Sequence, residues 1–596
     1  MPVLVAAFTV AQPEPLPAPR LEPSFDQTTA VGFARELTRR FPDRAPGSAA
    51  SREAAEWVAA RLRDYGAKPE LQEFASDVPG LGERELVNVV AMVAGRSPET
   101  IVVMAHRDNL GRSPGANDNA SGTAALLELA RGVALTPPAH TIVFLSTDGG
   151  AHGSVGANVF AADRDFLKQR LGSGASVVAV VNLDSLGGGE DARILFGGET
   201  ARSAAPALVA TAHTSVAEEL GVEPRRAGPF AQVIDLAFPF SLYEQAPFVG
   251  HGTPAVTLTA AGERPPSPEG DRIDTLRLRR IGELGRSAQT LVGALDESAE
   301  IARGTQANVY IGSRLVRGWT IQFLLLVALL PFLVAVIDLF ARCRRRHIAL
   351  APALRSFFSR LRVWIWAAVL FFAFSTLGAL ATGDARPISP DSTAATEWPV
   401  AALVGLLALS TLGWLVARPR LARRRRVDRN EELGGHLAAM LVLAVVALVV
   451  VATNPYALLF LLPSLHAWLW LPHLADRHVV VRLGLYAAGF AGPLILVGSF
   501  ALRYDLGLDA VWYMAALTSV GYVSPALLAA ALVWAAAGAQ VGAVATGRYA
   551  PYPARDERSA RGPIRASIRR AVLFTRSRRG AGHALAPESE AQEPEE

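Results

Sequence analysis

Residues Ile101 to Arg131 read IVVMAHRDNLGRSPGANDNASGTAALLELAR, and this stretch decides the fold. Ile101 to Ala105 is apolar and β-branched without polar alternation, which predicts a strand buried on both faces of a mainly parallel sheet. A turn rich in glycine and asparagine follows, and Ser121 is placed to cap a helix that runs to about Gly132. The stretch therefore predicts one strand-and-helix unit of an α/β fold.

Polar side chains follow this strand where it ends. His106 stands at the carboxyl end, the edge at which open α/β sheets bind their ligands. Asp108 lies two residues later, so in an extended chain it points to the same side and can orient a metal-bound imidazole. Asp118 lies on the tight turn beside His106. Taken alone, the pattern His-x-Asp also fits a hydrogen-bonded core histidine, so it leaves both interpretations open.

Composition limits the class of protein. The chain has 596 residues, of which 51% are hydrophobic, and a mean hydropathy of +0.26, so we expect one globular part and one membrane part. The net charge of +4 comes from arginine clusters beside apolar segments, which indicates membrane topology and no nucleic-acid partner. Cys343 is the only cysteine, so a metal site must use His, Asp or Glu.

The region from Phe25 to Glu300 alternates strand and helix patterns, which predicts an α/β domain with a mostly parallel sheet flanked by helices. The expected strands are Leu86–Val93, Ile101–Ala105, Thr141–Leu145, Val177–Leu183 and Pro254–Leu258, and the expected helices include Arg52–Tyr65 and Leu276–Leu295. The predicted division of the chain is an apolar stub and proline-rich spacer over 1–24, this domain over 25–300, a linker over 301–318, a transmembrane domain over 319–547 and a tail over 548–596. The stub is too short to span a bilayer, so we expect the end of a membrane segment or an interfacial anchor.

Seven apolar segments follow the linker and predict an α-helical polytopic membrane domain of about seven spans. The last of them is long enough to include a re-entrant or tilted piece. They lie near Trp319–Phe340, Val363–Thr382, Pro399–Ala417, Gly434–Thr453, Ala457–Leu471, Leu483–Leu502 and Val511–Ala545.

Arginine is concentrated after the first span, after the third span and in the C-terminal tail. The loop Asp384–Trp398, by contrast, carries only Arg386. Because positive charge marks cytoplasmic loops, we expect a multi-pass membrane protein with the domain outside the cytoplasm and the tail inside it. The tail is poor in apolar residues, which predicts disorder and contact of its basic part with membrane lipid.

The strings AHRDN and PGANDNASGTAALLELAR resemble the signature of the co-catalytic zinc aminopeptidase family, which includes bacterial secreted aminopeptidases and glutamate carboxypeptidase. The resemblance covers roughly Phe25 to Glu300. It implies that His106, Asp118 and Asp184 bind one zinc ion. Asp108 would orient the imidazole of His106 from the side away from the metal. It also implies a peptide or protein as substrate or ligand.

The second half of the family site is missing from this sequence. Where the family has two glutamates, a general base and a ligand, this chain has Gly150 and Ala151. Ser267 or a neighbouring proline stands where the last histidine ligand belongs. His152 is the first candidate for a substitute base, since histidine can accept a proton near neutral pH. A loop histidine facing water is the alternative, and the other candidate bases are Asp148, Glu244 and His251.

Two functions follow from this pattern. The first is a membrane-anchored metallopeptidase of the exopeptidase class with at most one zinc ion and no family base. The alternative is a non-catalytic pseudo-peptidase that binds peptides or assembles with other proteins on a membrane scaffold. A transporter is disfavoured because the spans lack a path of several charges.

Overall fold

The computed structural model describes residues 10–134, 137–163, 169, 176–299, 301, 303–421, 427–474 and 476–550. These residues form an α/β domain followed by a bundle of long apolar helices. The predicted fold class, a mostly parallel sheet flanked by helices and followed by a polytopic helical region, is confirmed. The predicted tail and most of the N-terminal stub lie outside the described residues.

Ten strands are found within the described ranges. They are β1 (Val10–Ala11), β2 (Lys68–Val78), β3 (Gly82–Val93), β4 (Ser97–His106), β5 (His140–Thr147), β6 (Ser176–Leu183), β7 (Arg193–Leu195), β8 (Ala255–Thr259), β9 (Asn308–Ile311) and β10 (Arg314–Arg317). All five predicted strands are present. The others have polar or short sequences that gave no strand pattern.

The main sheet has seven strands in the order β2-β3-β5-β4-β6-β8-β7. The four central strands β5, β4, β6 and β8 run parallel, while β2, β3 and β7 are antiparallel to their neighbours. Alternate residues of β4 enter two different cores: Ile101 and Val103 face one, Val102 and Met104 the other. Burial on both faces explains why β4 is apolar throughout.

Helices cover both faces of this sheet. In chain order they are α1 (Gln27–Arg40), α2 (Ala49–Asp64), α3 (Gly122–Val133), α4 (Val155–Ala162), α5 (Pro206–Leu220), α6 (Pro229–Ala237), α7 (Gln245–Gly250) and α8 (Leu278–Glu297). Helices α1, α2, α3, α5 and α8 pack in the larger core, and α4 and α7 pack in the smaller one. The predicted helices at Arg52–Tyr65 and Leu276–Leu295 correspond to α2 and α8.

The cap of α3 differs from the prediction. Ser121 has helical backbone angles and its hydroxyl donates to the carbonyl of Asn117 at 2.7 Å, so it does not cap the helix. The side chain of Asn119 accepts a hydrogen bond from the amide of Gly122 at 3.0 Å instead. The prediction for Ser121 is therefore wrong, because Asn119 has non-helical backbone angles and caps the helix, so that Ser121 already lies within its first turn.

The C-terminal half consists of helices α9 (Gly318–Arg345), α10 (Ala351–Thr376), α11 (Thr393–Thr396), α12 (Val400–Leu421), α13 (Arg429–Thr453), α14 (Leu458–Leu469), α15 (Val479–Ala488), α16 (Ala491–Arg503), α17 (Ala510–Ser519) and α18 (Pro525–Ala545). In this part of the structure six helical segments are long and apolar enough to cross a membrane, and the pair α15–α16, bent by 54°, makes seven. This is the pattern of a multi-pass membrane protein. The predicted last segment, Val511–Ala545, breaks into α17 and α18, since Gly521 has a positive φ and Pro525 starts a new helix.

The α/β domain rests directly on one end of the helical half. The loop after α10 reaches the domain through Arg386, whose guanidinium pairs with Glu199 and donates to the carbonyl of Gly153 at 2.8 Å. Arg503, at the end of α16, pairs with Asp235 at 2.6 Å and also with Glu263. The contacts come from the connections after α10, α13 and α16, so these connections share one end of the bundle.

The segments around residues 10–24 and 301–317 also pack on the domain side. Strands β1, β10 and β9 form a small antiparallel sheet just before α9. The proline-rich segment lies along the domain, since the amide of Leu16 donates to the hydroxyl of Thr211 at 2.9 Å. The region predicted as a linker over 301–318 therefore contains two of these strands.

Candidate metal centre

Three polar side chains converge at the carboxyl edge of the sheet. His106 is the last residue of β4, Asp184 follows the neighbouring strand β6, and Asp118 lies on the turn between β4 and α3. Nε2 of His106 lies 3.1 Å from Oδ1 of Asp118 and 3.4 Å from Oδ2 of Asp184. All three side chains are buried. The structure thus brings together the three residues that the sequence predicted as metal ligands.

The spacing of these ligand atoms fits a zinc ion. Zinc bonds of about 2.0–2.1 Å at tetrahedral angles put neighbouring ligand atoms about 3.3–3.4 Å apart. The two measured separations from Nε2 of His106, 3.1 and 3.4 Å, are close to that value. One imidazole and two carboxylates also form a donor set that zinc prefers, and three protein ligands leave a fourth position open.

Asp108 supports the histidine from its other side. Nδ1 of His106 lies 3.2 Å from the backbone oxygen of Asp108 and 3.4 Å from its carboxylate. That carboxylate accepts hydrogen bonds from the amides of Gly150 at 2.8 Å and Ala151 at 3.1 Å. Because Nδ1 faces these oxygens, Nε2 is directed towards Asp118 and Asp184.

Electrostatics in this cluster favour bound positive charge. Burial disfavours a charged imidazole, but the contacts with Asp108, Asp118 and Asp184 prevail and raise the pKa of His106 well above its ordinary value. Burial raises the pKa of the Asp118 carboxyl to about 6, against the opposing effect of His106. Carboxylates crowded in a buried site are stabilised by a cation, whether a proton or a metal ion.

Two further residues, which the sequence did not single out, hold the ligand turn. Asp271 is buried, and its carboxylate accepts from the amide of Asn117 at 2.7 Å and from that of Asp118 at 2.9 Å. The guanidinium of Arg44 is buried and donates to the carbonyls of Pro114 at 2.9 Å and Gly115 at 3.1 Å. Asp271 lies in the run GERPPSPEGDRIDTL, where the last histidine ligand of the family was expected. Nothing else in the sequence pointed to a role for Asp271.

The positions of the missing ligands contain no replacement side chain. A Cβ atom added to Gly150 would lie 2.2 Å from the Cβ of His106, so this loop packs directly on the histidine. Ser267 is exposed and bonds to Glu269, so it lies outside the cluster. The loop of residues 149–154 therefore packs against His106 without adding a ligand side chain at residues 150 and 151.

Two of the four candidate bases are unsuited to the role, and the other two are buried close to the cluster. Asp148 is paired with Arg107 at 3.1 Å, and His251 is exposed, so neither is free to serve the cluster. His152 is buried, so the alternative of a loop histidine facing water is wrong. Within the described residues neither ring nitrogen of His152 has a hydrogen-bond partner, and burial lowers the pKa of His152 to about 4.

Glu244 is the other free buried group. Its Oε1 accepts from the hydroxyl of Thr147 at 2.6 Å, while Oε2 has no partner among the residues that the structure describes. Thr147 pairs with His106 across β5 and β4, so Glu244 stands at the same edge of the sheet. Burial raises the pKa of Glu244 to about 7, and the nearby charges of His106, Asp108 and Asp184 act on it.

The sequence of the domain matches a known family. Residues 88–286 match the family model described as Peptidase family M28. The α/β domain is thus M28-like and zinc aminopeptidase-like. The matched residues include His106, Asp118 and Asp184.

Individual relatives agree with the family match. The alkaline phosphatase isozyme conversion protein of Escherichia coli is 28% identical over 176 residues, which are 26% of this chain and 49% of that protein. A probable zinc metalloprotease of Leptosphaeria maculans is 34% identical over 154 residues, 22% of this chain and 34% of that protein. The chain therefore spans half or less of the length of these curated relatives. Among solved structures, the zinc aminopeptidase BSAP of Bacillus subtilis has a TM-score of 0.39 and 15% identity, covering 48% of this chain and 98% of that chain.

Proposed function

We propose that the protein is a membrane-anchored zinc peptidase of the aminopeptidase type that acts on peptides outside the cytoplasm with a single metal ion. The observation that carries this proposal is the convergence of His106, Asp118 and Asp184 at the spacing of zinc ligands. The M28 family match supports the peptidase class and the choice of zinc. His106, Asp118 and Asp184 would hold the ion, and Asp108 would fix the orientation of the imidazole.

Zinc, when bound, supplies Lewis-acid chemistry that polarises a peptide carbonyl and acidifies water. The side chains of this chain must supply the proton transfer. We assign that role first to His152, because within the described residues its ring nitrogens have no partner and burial keeps the imidazole neutral, although the lowered pKa makes it a weaker base than an exposed histidine. Glu244 is the second candidate, since Oε2 is free and lies at the same edge of the sheet.

A non-catalytic peptide-binding module is the alternative function, and one observation favours it. Gly150 leaves no space between its loop and His106, so the family base has no room at this position. Loss of a general base commonly costs about 10²–10⁴ in rate. A hydrogen-bonded cluster of one imidazole and three carboxylates would keep the fold without any metal.

The orientation is part of the proposal. Arginines stand at the end of α9, near the end of α12 and at the start of α13, among them Arg345, Arg418 and Arg429, and these helix ends lie opposite the ends that contact the α/β domain. The positive-inside rule then supports a cytoplasmic location for this end and an extracytoplasmic M28 domain. Arg423 to Arg426 of the second cluster lie outside the described residues. We also propose domain boundaries at 25–300, 319–547 and 548–596.

The test measures zinc and activity together on the full chain in detergent. We expect about one zinc ion per chain by plasma mass spectrometry and release of the N-terminal residue from short peptides. His106→Ala should remove the zinc while the thermal unfolding transition persists. A folded wild-type chain that takes up no zinc after supplementation would reject the proposal and favour the binding module.

A further inference from the structure

A cavity of about 360 Å³ lies at the junction between the M28 domain and the helical half. The wall on the helical side, called the lower wall below, comes from the last turn of α13 and the first turns of α18. Its residues include Val449, Leu527 and Ala530. Its upper wall comes from the domain, through Phe238 and its neighbours. The cavity therefore lies where two candidate spans reach the domain.

The lower wall is continuous with a surface that faces outward. On α13, Val445, Leu448 and Val449 are exposed large apolar residues, and Leu527 of α18 is exposed as well. Outward-facing apolar side chains on spanning helices contact the hydrocarbon of the bilayer. The cavity thus borders on lipid at the side of the bundle, close to the level where the spans end.

The polar groups around the cavity already have partners. The hydroxyl of Tyr522 donates to the carbonyl of Pro239 at 2.8 Å, and the amide of Asn454 donates to the carbonyl of Leu236 at 2.9 Å. Glu199 is paired with Arg386. Because these groups need no further hydrogen bonds, the cavity favours an apolar occupant over a polar one.

We propose that this cavity binds one acyl chain of a membrane phospholipid. The site does not depend on the proposed peptidase activity. Its volume of about 360 Å³ is large enough for a segment of an acyl chain. An acyl chain in the cavity gives the apolar lining atoms the van der Waals contacts that they lack when it is empty. The chain enters from the lipid side, between α13 and α18.

The test uses the full chain and a substitution that fills the cavity. Protein is stripped of lipid in detergent, mixed with vesicles of phosphatidylethanolamine and phosphatidylglycerol, extracted again and weighed by native mass spectrometry. We expect the wild type to keep one phospholipid and Ala530→Trp to lower its occupancy at least about tenfold. Ala408→Trp, the same change at an exposed position of α12 outside the cavity, should behave as the wild type.

Two further measurements keep the test decisive. Ala526→Phe adds bulk from an exposed lining position and should lower lipid retention without a change in folding. A phospholipid with a diazirine on its acyl chain should crosslink the wild type at residues 449–453 and 526–530. The proposal is overturned if wild type and filled variants retain equal lipid, if the retained mass is a peptide, or if crosslinks avoid both segments.

Discussion

Asp271 holds the backbone of Asp118, whose amide donates to the Asp271 carboxylate at 2.9 Å. We predict that Asp271→Ala lowers zinc affinity by about 10–100-fold, because the turn that carries a ligand loses its support. Competition with a chelator measures this affinity. Asp274→Ala, at an exposed position three residues later, is the matched control and should leave it unchanged. Equal affinities of the two variants would contradict a positioning role for Asp271.

Restoring the family glutamate at residue 150 should harm the centre. A Cβ at this position would lie 2.2 Å from that of His106, so Gly150→Glu must displace either the loop or the histidine. We expect loss of zinc and a lower thermal unfolding temperature. Ala151→Glu extends a side chain from a residue that already has a Cβ, and should keep the fold. A zinc-loaded, more active Gly150→Glu variant would show that the loop opens readily.

Glu244 should make stability depend on pH in the zinc-free protein. Burial raises the pKa of its carboxyl from 4.5 to about 7. Between these values the folded state holds more protons than the unfolded state, so the free energy of unfolding falls as pH rises, by at most about 3 kcal/mol. Glu244→Gln removes this loss. We expect the unfolding temperature of the variant to rise relative to that of the wild type between pH 4.5 and 7. Parallel curves of unfolding temperature against pH would contradict this role of Glu244.

Arg386 should stabilise the junction between the two halves. It is buried and pairs with Glu199, and breaking a buried pair costs about 3–5 kcal/mol. For a domain of this size we expect Arg386→Ala to lower the unfolding temperature by about 6–12 °C. Arg20→Ala, which removes an exposed partner of Glu297, should change it little. Adding Glu199→Gln to Arg386→Ala should recover part of the loss, and strict additivity would argue against the pair.

Cysteine labelling tests the orientation. In a Cys343→Ser background, Ser267→Cys places a thiol on an exposed part of the α/β domain, and Asn430→Cys places one at the opposite end of the bundle. We expect a membrane-impermeant maleimide to label the first in intact cells and the second only after lysis. The reverse pattern would invert the topology.

The sequence predicted the parallel core because a strand buried on both faces must be apolar throughout, as β4 is. It also singled out His106 and Asp118 through the family string and Asp184 after a buried strand, and the structure brings these three side chains together. It missed β2, whose residues are mostly polar or exposed, and β7, which has only three residues. Edge strands of this kind form through pairing with a neighbour, and their own residues carry little signal.

The supporting residues of the centre were harder to predict for a different reason. Arg44 and Asp271 are distant in sequence from the turn they hold, and both act on backbone groups. Such contacts leave no spacing pattern, because any carbonyl or amide can take part. Burial of His152 was missed for a similar reason: its loop is covered by Arg386, which belongs to the other half of the chain.

The position of Arg503 in the chain sets the order in which the protein is completed. It is synthesised 206 residues after Glu297, the last residue of α8, which at about 5–20 residues per second means a delay of about 10–40 s. Until then Phe238 and Phe240 lack Phe500, against which both rings pack in the finished protein. Docking can therefore begin only after α16 has been synthesised, and a nascent chain interrupted before α16 carries an uncovered aromatic patch beside unpaired carboxylates.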